Sequence, residues 1–136
     1  VGRVLAVDLG SKRVGLALSD PLQMISQPFK TLAFVSLPAL AVEVKNLVHE
    51  MDIERVVVGL PVRENGTEGP GCRTARDFAE LLHNEHIQTE LWDERYSSRL
   101  AENVLRSFGK KRMHNKEKID RIAASYILEG YLRSRR

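Results

Sequence analysis

Cys72 is the single cysteine in 136 residues, so no intrachain disulfide and no cysteine zinc cluster can form. No apolar run approaches the length needed to span a membrane. The N-terminal residues lack the charged-then-apolar pattern of a signal peptide, and a cytoplasmic location is the expectation. Internal repeats, linkers and low-complexity stretches are absent, so residues 1–136 read as one domain. What is present is 43% hydrophobic and 29% charged residues, the balance of a globular protein with a core. Net charge is small at +3 but unevenly placed. Residues 1–94 carry nine Lys/Arg against fourteen Asp/Glu, and residues 95–136 carry twelve against four. A basic C-terminal third on an acidic body marks either a polyanion contact or a solubilising surface.

The chain is organised around its first hairpin. Val4 to Val7 reads as a buried strand, Gly10 to Arg13 as the turn, and Val14 to Leu18 as the partner strand. Asp8 sits at the mouth of this hairpin, with Lys12 and Arg13 beside it. Gly10 and Gly15 let the backbone turn tightly and approach a ligand. Asp-x-Gly after a strand also serves as a plain turn, so downstream acids decide between the two readings.

Further elements follow in order. Pro28 to Val35 is expected as an edge strand, and Ser36 as the cap of a helix over 37–51. Arg55 to Leu60 is a β-branched run of the kind buried on both faces, in parallel pairing with the first strand. Residues 62–73, with three glycines and a proline, read as a loop that could form a flap at the sheet's edge. A second helix is marked by Ala75, Phe78, Ala79 and Leu82, then a strand over Ile87 to Trp92. Ser97 or Ser98 caps a third helix ending at Gly109, and a basic loop runs from Lys110 to Lys116. The last helix spans Lys116 to Arg133, with a stripe of Ile119, Ile122, Ala123, Tyr126, Ile127, Gly130 and Tyr131 and Asp120 on its margin.

Asp8, Glu94 and Asp120 thus come from two strand ends and one helix. Carboxylate oxygens are the preferred ligands of Mg²⁺ and Mn²⁺, and two or three of them hold one or two such ions. Asp93 rivals Glu94 for the second position. Glu94 has an alternative use in an ion pair with Arg95 or Arg99, and Asp120 in the field of its helix.

Four stretches, taken together, resemble the YqgF (RuvX) family of the RNase H-like superfamily. They are Asp8 to Asp20, Val58-Gly59-Leu60-Pro61 with Gly66-Thr67, Asp93-Glu94-Arg95-Tyr96-Ser97-Ser98, and Lys118 to Ala124 with Ile127 to Leu132. The resemblance implies an α/β, RNase H-like fold: a five-stranded mixed sheet of order 3-2-1-4-5 flanked by helices. It implies a metal-dependent nuclease, with Asp8, Glu94 and Asp120 as catalytic and metal-holding acids and Mg²⁺ or Mn²⁺ as cofactor. Ser97-Ser98 stands where the family more often has threonines. Family members are linked to trimming the 5′ end of the small-subunit ribosomal RNA precursor, and an older inference gives them four-way DNA junctions.

The expected partners are therefore structured RNA or branched DNA, in or out of ribosomal precursor particles, with no membrane and with a monomer or homodimer. Lys12, Arg13, Arg95, Lys110, Lys111, Arg112 and Lys116 are the candidate phosphate contacts. A non-catalytic RNA-binding assembly factor is the reading from another class. A sugar-kinase or actin-like ATPase also opens with Asp-x-Gly on a hairpin, but needs two domains around its nucleotide.

Overall fold

Both faces of the first strand are apolar because both are covered. The computed structural model describes residues 2–96 and 116–135. Within them lie β1 (Arg3–Leu9), β2 (Arg13–Ser19), β3 (Ser26–Ala33), α1 (Leu37–Glu50), β4 (Ile53–Leu60), α2 (Pro70–Asn84), β5 (Thr89–Asp93), a 3-10 turn (Glu94–Tyr96) and α3 (Lys116–Ser134). The strands form one sheet of order β3-β2-β1-β4-β5. β1 is antiparallel to β2 and parallel to β4. β2 and β3 are antiparallel, β4 and β5 parallel. This is the mixed sheet expected from the sequence. The helix expected between Ser97 and Gly109 lies outside the described residues.

Strand alternation sorts the core into two layers. Leu5, Val7, Val14, Leu16, Val56 and Val58 point to one face, where α1 and α2 cover them with Leu40, Val44, Phe78 and Leu82. Val4, Ala6, Ala17 and Val57 point to the other, where, among the described residues, α3 covers them with Ala124, Ile127, Leu128, Tyr131 and Leu132. Fully buried side chains such as Leu5, Leu16, Phe78 and Leu82 contribute about 1.5–3 kcal/mol each. The α3 face of the sheet is built from smaller residues, which brings that helix close.

Several boundaries differ from the expected ones. β3 starts at Ser26, before Pro28, because the proline falls at a bulge: Leu16 pairs with Lys30 and Ala17 with Pro28, skipping Phe29. α1 is as expected within one residue, with the Ser36 hydroxyl accepting from the Ala39 N–H at 3.2 Å. α2 starts at Pro70, not near Ala75, since proline is favoured in a first turn and the buried Cys72 extends the stripe of Ala75, Phe78 and Leu82. The loop shrinks to 61–69. It is fastened by its own bonds, Arg63 N–H to Thr67 O at 3.0 Å and Gly66 N–H to Arg63 O at 2.8 Å, rather than hanging as a flap. β5 is shifted to Thr89–Asp93.

α3 is the largest correction. Its buried residues are Ala124, Ile127, Leu128, Tyr131 and Leu132, a stripe rotated from the expected one. Ile122 and Tyr126 are half-buried on the far side. Asp120 is one turn before Ala124 and therefore lies within the sheet-facing stripe, not on its margin. Ser26 Oγ donates to Ser125 O at 2.7 Å, and Thr31 Oγ1 donates to Glu117 O, pinning the helix over β3. No helix among the described residues is long and apolar enough to cross a membrane.

Candidate active site

Asp8 projects from the end of β1 to the α3 side, in line with Val4 and Ala6. Its neighbour across β2 is Gly15. On the β4 side, Val7 pairs with Val58, so the next step sets Asp8 level with Gly59. Gly59 in turn pairs with Trp92 on β5, two residues before Glu94.

These two glycines build the site. A Cβ on Gly15 would collide with the Asp120 carbonyl, so the missing side chain is what admits the first turns of α3. A Cβ on Gly59 would lie 2.8 Å from Ile127 Cδ1 and 3.0 Å from Glu94 Oε2. Glu94 therefore folds back over β4 into the space that Gly59 leaves. One acid is brought in on each side of Asp8, and both arrive on the α3 face of the sheet. Gly59 was legible in the sequence only as a strand end. The sign that could have revealed its role is a glycine inside a buried strand, at the level of the acid and on its face.

The electrostatics record the same convergence. Burial, then the Glu94 and Asp120 carboxylates, push the Asp8 carboxyl up to about 8. Burial, then Asp93, pushes Glu94 up to about 7. Among the described residues no cation pairs with Asp8. Asp120 does have one: Arg13 Nε donates to its Oδ2 at 2.6 Å. Asp93 goes elsewhere. It accepts both Nε and Nη2 of Arg95, at 3.0 and 2.7 Å, and this holds its carboxyl below the ordinary aspartate range.

The rim offers carboxylate oxygens, the donor set of a hard divalent cation. The three acids gather without closing into a cage: among the described residues no three His, Cys, Asp or Glu groups are close enough to hold an ion. Four of the seven candidate phosphate contacts are among the described residues. Lys12 and Lys116 are exposed, and Arg13 and Arg95 are engaged by Asp120 and Asp93. Lys110, Lys111 and Arg112 lie outside the described residues, as do Ser97 and Ser98.

Comparison with known proteins agrees with this architecture. The family model described as "RuvX: Holliday junction resolvase" matches residues 2–134. A protein of Syntrophomonas wolfei named "Putative pre-16S rRNA nuclease" is 40% identical over 96% of this chain and 93% of its own length. One of the same name from Rhodospirillum centenum is 36% identical over 96% of this chain and 73% of its own. Among solved structures, RuvC of Thermus thermophilus superposes with a TM-score of 0.58 at 12% identity, covering 97% of this chain and 96% of that one. The yeast mitochondrial Holliday junction resolvase gives 0.59 at 12% identity, covering 97% and 78%. The two structures share the fold, and the full-length sequence matches carry the assignment: the chain belongs to the RuvX family.

Proposed function

We propose that this protein is a divalent-cation-dependent nuclease that hydrolyses phosphodiester bonds in the precursor of the small-subunit ribosomal RNA. The observation that carries the reading is the meeting of Asp8, Glu94 and Asp120 on one face of the sheet, arranged by Gly15 and Gly59. The relatives that match along nearly the whole chain bear a ribosomal RNA nuclease name, which supports the choice of substrate.

Each acid has a distinct task in this reading. Asp8 and Glu94 stand together in a half-buried setting where their negative charges oppose each other, a setting that a divalent cation relieves. Mg²⁺ or Mn²⁺, when bound, supplies charge neutralisation at the phosphate and activation of the attacking water. Asp120 would complete the ligand set on turning from Arg13. The Arg13 guanidinium would then be available to a phosphate oxygen at the same rim. Lys12 and Lys116, both exposed, lie on elements that border the rim and would meet the backbone of the substrate.

The test incubates precursor ribosomal RNA with the protein and Mn²⁺ and maps the ends produced. Defined cleavage that disappears in Asp8→Asn, with the fold intact, is the expected result. Cleavage of four-way DNA junctions in preference to the RNA would move the substrate to branched DNA. RNA binding that persists in EDTA, with no cut in any divalent metal, would make the protein a non-catalytic assembly factor.

A further inference from the structure

Glu94 reaches the acids at a point where the chain leaves its strand. β5 ends at Asp93, and the 3-10 turn begins at Glu94. Along β5, Leu91 packs into the layer of α1 and α2, and Trp92 packs against α3, edge-on to Tyr131 with 5.9 Å between ring centroids. Alternation therefore gives Asp93 the side of Leu91, away from Asp8, and Glu94 the side of Trp92. The right face is not enough. Gly59 is level with Trp92, so a strand continued straight would carry the Glu94 backbone roughly 6–7 Å past that glycine. Yet Glu94 Oε2 lies 3.0 Å from the position of a Cβ on Gly59. The turn is what folds the side chain back.

A turn of three residues has few bonds of its own to hold its shape, and the N–H groups that open it have no partner inside it. One of them is satisfied from outside. Arg95 N–H donates to Asp93 Oδ1 at 2.9 Å. This bond spans Glu94 and closes a ring through its backbone, the geometry of an Asx turn. The direction of the Glu94 Cβ is set by the backbone angles inside that ring. The ring's own side chain is held as well: Asp93 Oδ2 accepts Arg95 Nη2 at 2.7 Å and Nε at 3.0 Å.

We propose that Asp93 is the positioning residue for Glu94: by accepting the Arg95 N–H it fixes the backbone turn that aims the Glu94 carboxylate over Gly59 toward Asp8. Asp93 itself holds neither the cation nor the substrate. This rests on the nuclease reading, in which Glu94 is one of the three acids. The backbone bond carries the effect and the ion pair with Arg95 is secondary, because an acceptor oxygen at Oδ1 is all that the turn requires.

The experiment compares Asp93→Asn with Asp93→Ala at a temperature where both are folded. Both lose the same charge and the same ionic clasp on Arg95, but Asn keeps an oxygen that can accept the Arg95 N–H and Ala does not. The difference between them therefore reads the backbone bond. In cleavage of precursor RNA with Mn²⁺, Asp93→Ala should lose roughly 10²-fold in kcat with little change in KM, the cost of a misplaced group. Asp93→Asn should stay within about tenfold of wild type. Two further measurements need no cleavage. Hydrogen exchange of the Arg95 amide in EDTA should be slow in wild type and Asp93→Asn and fast in Asp93→Ala. Mn²⁺ affinity by calorimetric titration should be weaker in Asp93→Ala than in Asp93→Asn. Equal losses in the two variants, or wild-type kcat in Asp93→Ala, would overturn the positioning role. Asp8→Asn, run in parallel, separates the two claims: cleavage that survives in it refutes the catalytic assignment, while amide exchange still decides whether Asp93 sets the turn.

Discussion

Arg13 Nε lies 2.6 Å from Asp120 Oδ2, joining the first residue of β2 to the second turn of α3 across 107 positions of sequence. Both side chains are about one-third exposed. The bond holds Asp120 at the rim and at the same time engages one of the two oxygens that it would offer to a cation.

That double role makes Arg13→Gln informative. Stability should fall by only about 0.5–1 kcal/mol, the scale of a partly exposed pair. Mn²⁺ affinity should rise several-fold, because Asp120 no longer has to leave a partner. Calorimetric titration of Mn²⁺ into both proteins checks the sign, and weaker binding by the variant would contradict the competition.

The raised carboxyls predict an unusual pH dependence in EDTA. Asp8 titrates near 8 in the folded protein and near 3.8 in the unfolded chain, and Glu94 near 7 against 4.5. The folded state therefore binds more protons between about pH 4 and 8, and stability falls as pH rises through that window. Each kcal/mol lost moves the midpoint of a domain of this size by roughly 3–6 °C. Melts at pH 5.5 and 8.0 should show the drop, Asp8→Asn should flatten it, and added Mg²⁺ should reverse it at pH 8.0.

The two glycines should respond differently to an added methyl. Gly15→Ala meets backbone of α3, which cannot swing aside, and should cost about 3 kcal/mol or more. Gly59→Ala meets the tips of Ile127 and Glu94, which can rotate, and should cost about 1–2 kcal/mol. Because Glu94 is the group displaced, Gly59→Ala should lose cleavage far beyond its loss of stability. Urea melts paired with cleavage rates separate the two effects.

Adjacent acids at the end of β5 give a direct contrast. Glu94→Gln should lower the cleavage rate by on the order of 10³-fold. Asp93→Asn breaks the clasp on Arg95, removes the charge that helps to raise Glu94, and should stay within about tenfold of wild type. Equal losses in both variants would mean that the second acid has been misassigned.

The sheet order was readable in advance because alternation, β-branched runs and the resemblance all pointed to the same topology. Where local rules competed, reading failed. Gly69-Pro70-Gly71 has the composition of a break, yet proline in a first turn starts a helix as readily as it stops one. In α3, Ile122 and Tyr126 are apolar without belonging to the sheet-facing stripe, so periodicity found Ile127 and Tyr131 but drew the stripe rotated and set Asp120 at its edge. The three proposed acids could be picked out as candidates from residue type and the resemblance, with Asp93 as a rival to Glu94. Their meeting depends on glycines whose function is to be absent side chains, and a missing group leaves little trace in a hydrophobic pattern.

Among the described residues, α3 is the helix that closes one face of the sheet, and that same helix brings Asp120. A polypeptide halted before Lys116 already contains Asp8 and Glu94, but neither the third carboxylate nor the cover over Ala6, Ala17 and Val57. On the proposed reading, the third acid and the apolar residues Ala124, Ile127 and Leu128 arrive on one helix, so the site and the packing beneath it are completed together.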